Sequence, residues 1–279
     1  MIHEIAPHCF ENQYANIMPE PESFALYYEN NLSLVKKTFQ GIEFLRFKDL
    51  EKSHEELYKG ATYLFAIDGQ RYYLIDEINL EKLDSFSLEN VEIFRHSTCQ
   101  MEAYAGITGH QLYNWYHTNK YCGCCGEVLV KDVKERMLRC NKCENMVFPR
   151  LNPAVIVGVT HKNKILLSKY NRQPKGNYAL VAGFIEVGET LEEGVRREVL
   201  EEVGLHITNI RYYKSQPWPF TSSLLMGFYC DVIDGDEDIV LDTEELCLAQ
   251  WFEREEIPVK PNTLSLTNEM IIAFKNGEV

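Results

Sequence analysis

Positive charge is scarce in this sequence. There are 28 Lys and Arg residues against 42 Asp and Glu residues, which gives a formal net charge of -14 at pH 7. Broad, sequence-independent binding of nucleic acid relies on Lys and Arg to neutralise phosphates, so this deficit argues against it. A polyanionic substrate would need a local source of positive charge, and divalent metal ions are one such source.

Long apolar runs are also missing. No run approaches the roughly 20 residues that span a bilayer, and the N-terminal residues lack the basic segment and apolar stretch of a secretory signal. There is no internal repeat or low-complexity tract. We therefore expect a cytoplasmic protein without a membrane partner.

The length predicts more than one domain. The chain has 279 residues, whereas a typical domain has roughly 100–200. We expect a β-rich N-terminal domain with a linking helix over 1–118, a small cysteine module over 119–148, and a larger α+β domain over 149–279.

Local patterns predict several elements. Segments 62–67 and 71–75 flank Asp68-Gly69, a pair typical of a tight hairpin turn. Apolar residues at helical spacing predict a helix within 102–121. Further strands are expected at 43–47, 154–159, 164–168, 178–181, 210–213, 224–230 and 250–252, and a last helix at 266–275.

Four of the nine cysteines form two Cys-x-x-Cys pairs, Cys122 with Cys125 and Cys140 with Cys143. This spacing is typical of a closed, tetrahedral Zn²⁺ site with a structural role, and disulfides or an empty remnant are the alternative. The second pair is followed by Glu144 where a glycine is common. A nucleic-acid-binding ribbon remains open as a second interpretation because basic residues lie nearby. These are Lys131, Lys134, Arg136, Arg139 and Lys142.

The segment from Thr190 to Gly204 predicts a helix over about 191–203. Thr190 and Glu193 have the spacing of a capping box, in which each side chain satisfies a backbone amide of the other. Gly204 stands where a left-handed helix end is expected. Apolar residues recur every fourth position and would seat the helix on a sheet. They are Leu191, Val195, Val199 and Val203.

Three glutamates of this helix, Glu198, Glu201 and Glu202, are spaced i, i+3 and i+4, so their carboxylates lie on neighbouring faces. Such like charges repel unless a cation lies between them. Carboxylates together with substrate phosphates are the ligands that Mg²⁺ prefers. A solvated acidic face is the alternative for a Glu-rich helix taken alone.

The residue order resembles the signature of the Nudix hydrolase family. That signature is Gly, five residues, Glu, seven residues, Arg-Glu, an aliphatic, any residue, Glu-Glu, any residue, Gly and an aliphatic. Every fixed position is matched, by Gly183, Glu189, Arg197, Glu198, Val199, Glu201, Glu202, Gly204 and Leu205.

The resemblance implies an α/β/α sandwich around a mixed sheet, preceded by a zinc ribbon. It implies that Glu198, Glu201 and Glu202 hold Mg²⁺ or Mn²⁺ while Arg197 orients the carboxylates. Ala182 and Glu245 would complete the metal site, with Glu244 as the fallback for Glu245.

A second run, from Ser215 to Leu224, is similar to the Ser-Gln-Pro-Trp-Pro-Phe-Pro-x-Ser element of the NADH pyrophosphatase branch of that family. Thr221 departs from it, because the branch usually has proline there. The resemblance implies a set of substrate contacts. They are Phe148, Phe184, Gln216, Pro217, Trp218, Pro219, Phe220, Thr221, Ser222, Ser223 and Ser265.

The expected function is hydrolysis of the pyrophosphate bond of NAD(H), giving NMN(H) and AMP. Either Glu201 or Glu202 would act as the base. Two alternatives stay open: removal of NAD caps from RNA 5′ ends by the same chemistry, and a non-catalytic regulator that senses a nucleotide. A homodimer is expected from the resemblance alone.

Overall fold

The computed structural model describes residues 1–50 and 55–279. The α-helices are α1 (Glu55–Gly60), α2 (Gln100–Thr118), α3 (Leu191–Val203) and α4 (Leu266–Asn276). The strands are β1 (Phe10–Glu11), β2 (Phe24–Leu26), β3 (Tyr28–Glu29), β4 (Leu32–Thr38), β5 (Gly41–Glu43), β6 (Leu45–Arg46), β7 (Thr62–Ile67), β8 (Gln70–Leu74), β9 (Ser87–Asn90), β10 (Leu129–Lys131), β11 (Leu138–Cys140), β12 (Met146–Val147), β13 (Asn152–His161), β14 (Lys164–Tyr170), β15 (Val181–Phe184), β16 (Ile207–Trp218), β17 (Ser223–Val232) and β18 (Leu246–Glu253). Within the described ranges, none of the helices is long and apolar enough to cross a membrane.

The chain divides into two compact units. One consists of Met1, Leu151–Trp218 and Ser222–Val279 and is called the C-terminal unit below. The other consists of Ile2–Arg150 and Pro219–Thr221 and is called the N-terminal unit.

The C-terminal unit is built on a six-stranded sheet with the order β16-β17-β13-β14-β18, and β15 also pairs with β13. Strands β13 and β17 run parallel, whereas β15 runs antiparallel to β13. The sheet is therefore mixed.

A helix covers each face of this sheet. Val155 and Val157 of β13 pack in one core cluster with Val195 and Val199 of α3. Alternate side chains of a strand point to opposite faces, and Ile156 accordingly packs in a second cluster with residues of α4. The result is the α/β/α sandwich expected from the sequence.

The N-terminal unit is rich in β-structure, as predicted. It contains a five-stranded sheet with the order β1-β7-β8-β2-β6 and a four-stranded sheet in which β4 pairs with β3, β5 and β9. The predicted hairpin joins β7 to β8, and Asp68 and Gly69 take the positive φ values of 50° and 74° that such a turn requires. Strands β10, β11 and β12 form a small third sheet around the cysteines.

Two predicted strands are placed differently in the structure. The strand expected at 178–181 begins only at Val181 and runs to Phe184, because β15 pairs with β13 from Val157 back to Ala154. The strand expected at 43–47 is divided into β5 and β6, which pair with different partners.

Candidate functional site

The acidic helix α3 forms as the sequence predicts. Thr190 Oγ1 accepts a hydrogen bond from the Glu193 amide, and the Glu193 carboxylate accepts one from the Thr190 amide, so both halves of the capping box are present. Gly204 ends the helix with φ 73° and ψ 14°. Val195, Val199 and Val203 are fully buried, which fixes the rotation of the helix on the sheet.

Two glycines allow β15, the segment after it and α3 to lie in close contact. A Cβ atom added to Gly183 would lie 2.0 Å from Cδ of Glu198, so the carboxylate occupies the space that any other residue would fill. A Cβ added to Gly194 would lie 2.3 Å from Cδ1 of Ile185. The cost of a glycine inside the helix, about 1 kcal/mol relative to alanine, is therefore offset by close packing.

The Arg197 guanidinium gathers three carboxylates. Its Nε and Nη2 donate to the two carboxylate oxygens of Glu189, both at 2.8 Å. Its Nη1 donates to Glu198 at 2.7 Å and to Glu201 at 3.0 Å, and Nη2 also donates to the carbonyl of Phe184 at 2.9 Å. The hydrogen bonds from Arg197 lower the pKa of Glu189 to about 2. The role of Glu189 was not predicted from the sequence: its carboxylate anchors the arginine.

Glu202 lies on the buried side of α3, where its side chain is almost inaccessible. One oxygen, Oε1, accepts a hydrogen bond of 3.4 Å from the amide of Ala182. The other, Oε2, is buried and has no hydrogen-bond partner among the described residues. Burial raises the pKa of Glu202 to about 8, and the negative charges of Glu198 and Glu245 add to the effect. Burial likewise raises the pKa of Glu198. Glu201, by contrast, is exposed.

Glu245 lies in the loop before β18. Its charge raises the pKa values of Glu198 and Glu202, which brings it into the electrostatic environment of α3. The loop is held by Asn171, whose amide donates to the carbonyls of Thr243 and Glu244 and whose backbone N–H donates to the carbonyl of Glu245. Asn171 was not predicted from the sequence, because it precedes this loop by about 70 residues.

The carboxylates are close but not clustered. In residues 1–50 and 55–279, two groups of side chains place one ligand atom each within 4.8 Å of all the others. They are the four predicted cysteines and a trio of His161, Asp234 and Glu237. The helix glutamates form no such group because Arg197 holds Glu198 and Glu201, while Glu202 points to Ala182.

Gln216, predicted to contact substrate, has a structural task inside the C-terminal unit. It is fully buried. Its Nε2 donates to the carbonyl of Leu264 at 2.9 Å, and its Oε1 accepts from the amide of Leu266 at 2.7 Å. These two residues flank Ser265, whose hydroxyl caps α4 by accepting from the amide of Asn268.

The remainder of the predicted substrate segment continues from β16 into β17. Trp218 pairs with Ser223, and Pro217 pairs with Leu224, across these two strands. Ser222 has a positive φ of 53°, and its carbonyl accepts from the amide of Asn152. Between the strands lies a short turn of 3₁₀-helix, Pro219–Thr221, in which Thr221 is exposed. This turn belongs to the N-terminal unit, where the guanidinium of Arg95 stacks 3.8 Å from the ring centroid of Phe220.

Two aromatic residues predicted to contact the substrate are exposed. Phe148 is 52% exposed and Phe184 is 54% exposed, which is unusual for phenylalanine and leaves both rings accessible to a ligand. The backbone carbonyl of Phe184 accepts a hydrogen bond from Arg197, so this residue adjoins the acidic group.

The four predicted zinc ligands come together in the structure. Sγ of Cys122 lies 3.5 Å from that of Cys143, and Sγ of Cys125 lies 3.5 Å from that of Cys140. The backbone N–H of Cys124 bonds to Cys122 Sγ and lowers the pKa of that thiol to about 6, which favours the thiolate. This group could hold a tetrahedral metal ion, and the remaining thiol of the module, Cys124, stands outside it.

The two turns that carry these cysteines have the same backbone path. Gly126 has φ 76° and donates its N–H to the carbonyl of Cys122, while Glu144 has φ 61° and donates to the carbonyl of Cys140. Glu144 therefore adopts the left-handed conformation that glycine usually supplies.

Comparison with known proteins agrees with this architecture. Residues 150–273 match the family model described as the NUDIX domain. The chain is 39% identical over 163 residues to the "NAD-capped RNA hydrolase NudC" of Klebsiella pneumoniae (strain 342), an alignment that covers 58% of this chain and 63% of that protein. It is 41% identical over 153 residues to the protein of the same name from Shigella dysenteriae serotype 1 (strain Sd197), covering 55% and 59%. The matched part thus spans less than two thirds of these relatives.

A solved structure, titled "Crystal structure of NUDIX hydrolase from Nitrosomonas europaea", is 26% identical with a TM-score of 0.48, and covers 57% of this chain and 92% of that one. The family match falls on the segment that holds the complete glutamate signature, the glycines that fit around it and the sandwich that carries it. Residues 150–273 of this chain therefore form a NUDIX domain.

Proposed function

We propose that this protein is an enzyme that hydrolyses the pyrophosphate bond of NAD(H), giving NMN(H) and AMP. The observation that carries the proposal is Glu202, a buried carboxylate whose neighbours include Glu198 and Glu245. Its Oε2 has no hydrogen-bond partner in residues 1–50 and 55–279. A buried acceptor without a partner costs roughly 1–3 kcal/mol, and a cation bound there would remove that cost.

The proposed cation is Mg²⁺ or Mn²⁺, since the available ligands are oxygens. The ligands would be the carboxylates of Glu198, Glu201, Glu202 and Glu245 together with the carbonyl of Ala182. Such an ion, when bound, polarises phosphoryl oxygens and lowers the pKa of an attacking water. Arg197 limits the movement of Glu198 and Glu201 through its hydrogen bonds. Glu201, which is exposed, and Glu202, which is buried, are the two candidates for the base.

Recognition of the nucleotide is proposed to depend on the exposed rings of Phe148 and Phe184. An aromatic ring offers a flat face on which a base can stack. The proposed contacts also include Ser265 and the segment from Gln216 to Ser223. Within that segment Gln216 supports Ser265 indirectly, by fixing the backbone on both sides of it.

The four cysteines are proposed to hold Zn²⁺ with a structural role. The alternative, a ribbon that binds nucleic acid, would need free basic side chains. Within the N-terminal unit, Lys131 bonds to the hydroxyl of Thr62, and Arg136 bonds to Asn12 and to the carbonyl of Leu64. Nε of Arg139 also lies 4.0 Å from Oδ2 of Asp132. Three of the five nearby cations are thus engaged by the protein itself, which favours the structural role.

Removal of an NAD cap from RNA is the second candidate function. It is favoured by the names of the relatives from Klebsiella and Shigella, which are called NAD-capped RNA hydrolases. The bond that breaks would be the same. We also propose that the domain boundaries follow residues 118 and 148, as the sequence predicts. The protein is further proposed to be cytoplasmic and to form a homodimer. A sensor without catalysis is not favoured, because such a protein has no need of the complete set of glutamates.

The test is release of AMP from NADH by the full-length protein with Mg²⁺ or Mn²⁺. We expect Glu202→Gln to lower kcat/KM by about 100-fold or more, since loss of metal assistance removes several kcal/mol of transition-state stabilisation. Glu192→Gln is the matched control, because Glu192 is exposed in the first turn of the same helix and lies outside the signature. It should keep wild-type activity.

An inactive wild-type protein, or a Glu202→Gln variant as active as wild type, would overturn the proposal. Parallel measurements on NADH, NAD⁺, ADP-ribose and NAD-capped RNA separate the two candidate functions. A kcat/KM at least tenfold higher for capped RNA than for NADH would make cap removal the principal activity.

A further inference from the structure

A second group of metal-ligand side chains lies in the C-terminal unit at the ends of two parallel strands. His161 is the last residue of β13, and Asp234 and Glu237 lie in the loop that follows β17. In the parallel register Thr160 stands opposite Asp231, so both strands end at the same edge of the sheet. The topology thus brings His161 close to two residues that lie more than 70 positions further along the chain.

The three side chains converge on one point. One ligand atom from each, the imidazole nitrogen and two carboxylate oxygens, lies within 4.8 Å of the other two. Nε2 of His161 is 3.5 Å from Oε1 of Glu237, yet it is buried and makes no hydrogen bond in the part of the chain that the structure describes. A buried ring nitrogen normally takes part in a hydrogen bond or coordinates a cation. A cation bound at this point would therefore satisfy it.

The surroundings hold the group in place. Oε1 of Glu237 accepts a hydrogen bond of 3.0 Å from the amide of Gly235, and the Glu237 carbonyl accepts one of 3.1 Å from Nε1 of Trp251. The Trp251 ring also meets the His161 ring edge to face at 6.1 Å. The Gly235 hydrogen bond lowers the pKa of Glu237, so this carboxylate is ionised at neutral pH. Metal ligands are commonly oriented by neighbouring groups in this way.

We propose that His161, Asp234 and Glu237 form a second site for a divalent cation of the zinc class, which would join the loop after β17 to the turn between β13 and β14. One imidazole with two carboxylates suits Zn²⁺ better than Ca²⁺ or Mg²⁺, which prefer oxygen ligands alone. His161 lies five residues along β13 from Ile156, the partner of Ala182, which is about 16 Å of strand at roughly 3.3 Å per residue. None of the three residues belongs to the proposed ligands of the catalytic ion, so the two sites are separate.

The experiment counts bound zinc. Full-length wild-type protein and variants are dialysed against the same micromolar concentration of free Zn²⁺, and bound zinc per chain is measured by elemental analysis. We expect His161→Gln and Asp234→Asn each to bind one zinc ion fewer than wild type. Zinc bound by the cysteine site and by the signature glutamates should be the same in wild type and in both variants. Asp234 is exposed, so its variant should fold even if the partly buried histidine does not tolerate replacement.

His206→Gln is the matched control. Nδ1 of His206 bonds to Asp236 in the same acidic loop at 2.9 Å, but His206 is outside the trio. This variant should bind as much zinc as wild type. Equal zinc counts in wild type, His161→Gln and Asp234→Asn would overturn the proposal and leave a simple histidine–glutamate ion pair. Loss of the ion in His206→Gln as well would also overturn it, because the binding would then follow the general charge of the loop.

Discussion

Glu202 illustrates how the position of one carboxylate decides its chemistry. Glu201 and Glu202 are adjacent, yet the first is exposed and the second is only 2% exposed. Spacing along the helix predicts which carboxylates share neighbouring faces, but it does not predict how deeply each is buried. That depth is set by β15, which passes over the helix and brings the Ala182 amide to Glu202.

Gly183 is the residue whose replacement should disturb the acidic group most directly. In Gly183→Ala the new Cβ would lie 2.0 Å from Cδ of Glu198, so the carboxylate must move by more than 1 Å. We expect kcat for the proposed hydrolysis of NADH to fall about 100-fold, the effect typical of a misplacement of this size. Steady-state kinetics with Mg²⁺ measure it.

Gly60→Ala serves as the comparison, because a Cβ added to Gly60 meets no atom within 4 Å. This variant should keep wild-type kcat and a wild-type circular dichroism spectrum. Unchanged kcat in Gly183→Ala would show that Glu198 need not occupy its observed place.

At the scale of elements, features specified by neighbouring residues were predicted correctly. The capping box, the left-handed Gly204 and the four-residue apolar repeat all lie within α3, and the structure confirms its limits. Strand β15 was placed about three residues too early, because its start depends on pairing with β13 rather than on its own sequence. The cysteine turns were predicted from spacing, but the backbone conformation of Glu144 was not.

Glu144→Gly should stabilise the cysteine module. A left-handed conformation costs an L-residue roughly 1–2 kcal/mol, and glycine avoids this cost. Part of the gain is offset because glycine gives the unfolded chain more conformational freedom. We expect the free energy of unfolding of the zinc-loaded protein to rise by about 0.5–1 kcal/mol. Urea titration followed by circular dichroism measures this change.

Gly126→Ala provides the opposite case in the first turn. Gly126 has φ 76°, and an added Cβ would meet no atom within 4 Å, so the change tests conformation alone. The free energy of unfolding should fall by about 1 kcal/mol. Equal effects of the two variants, in sign and size, would contradict the conformational explanation.

At the scale of the whole molecule, contacts between distant parts of the chain were beyond the reach of sequence reasoning. The amide of Gln216 joins residues about 50 positions away, Asn171 fixes a loop about 70 positions away, and His161 meets Asp234 across a similar separation. None of these pairings leaves a periodic or local trace. The Nudix assignment succeeded because its signature is contiguous.

Separate cores predict a local response to zinc removal. The cysteine module packs its own small cluster around Trp115, Leu129 and Leu138, whereas the C-terminal unit has two clusters of its own. In Cys125→Ser we expect backbone amides of β10–β12 to lose protection from hydrogen exchange, because metal binding supplies the folding free energy of such modules. Amides of β13 and β17 should remain protected.

Cys124→Ser is the control for that measurement, since Cys124 is exposed and lies outside the four-thiol group. Its exchange pattern should match that of wild type. Loss of protection throughout β13 and β17 in Cys125→Ser would show instead that the whole fold depends on the metal.

Arg197 has five N–H groups, and each already has an acceptor: two oxygens of Glu189, one of Glu198, one of Glu201 and the carbonyl of Phe184. The guanidinium therefore has no donor left to offer an incoming diphosphate. Lysine, with three donors on a single nitrogen, could not serve all five acceptors. Affinity for an anionic ligand at this surface should accordingly rise and fall with the concentration of free divalent counter-ions in solution. The arginine alone should confer no such affinity.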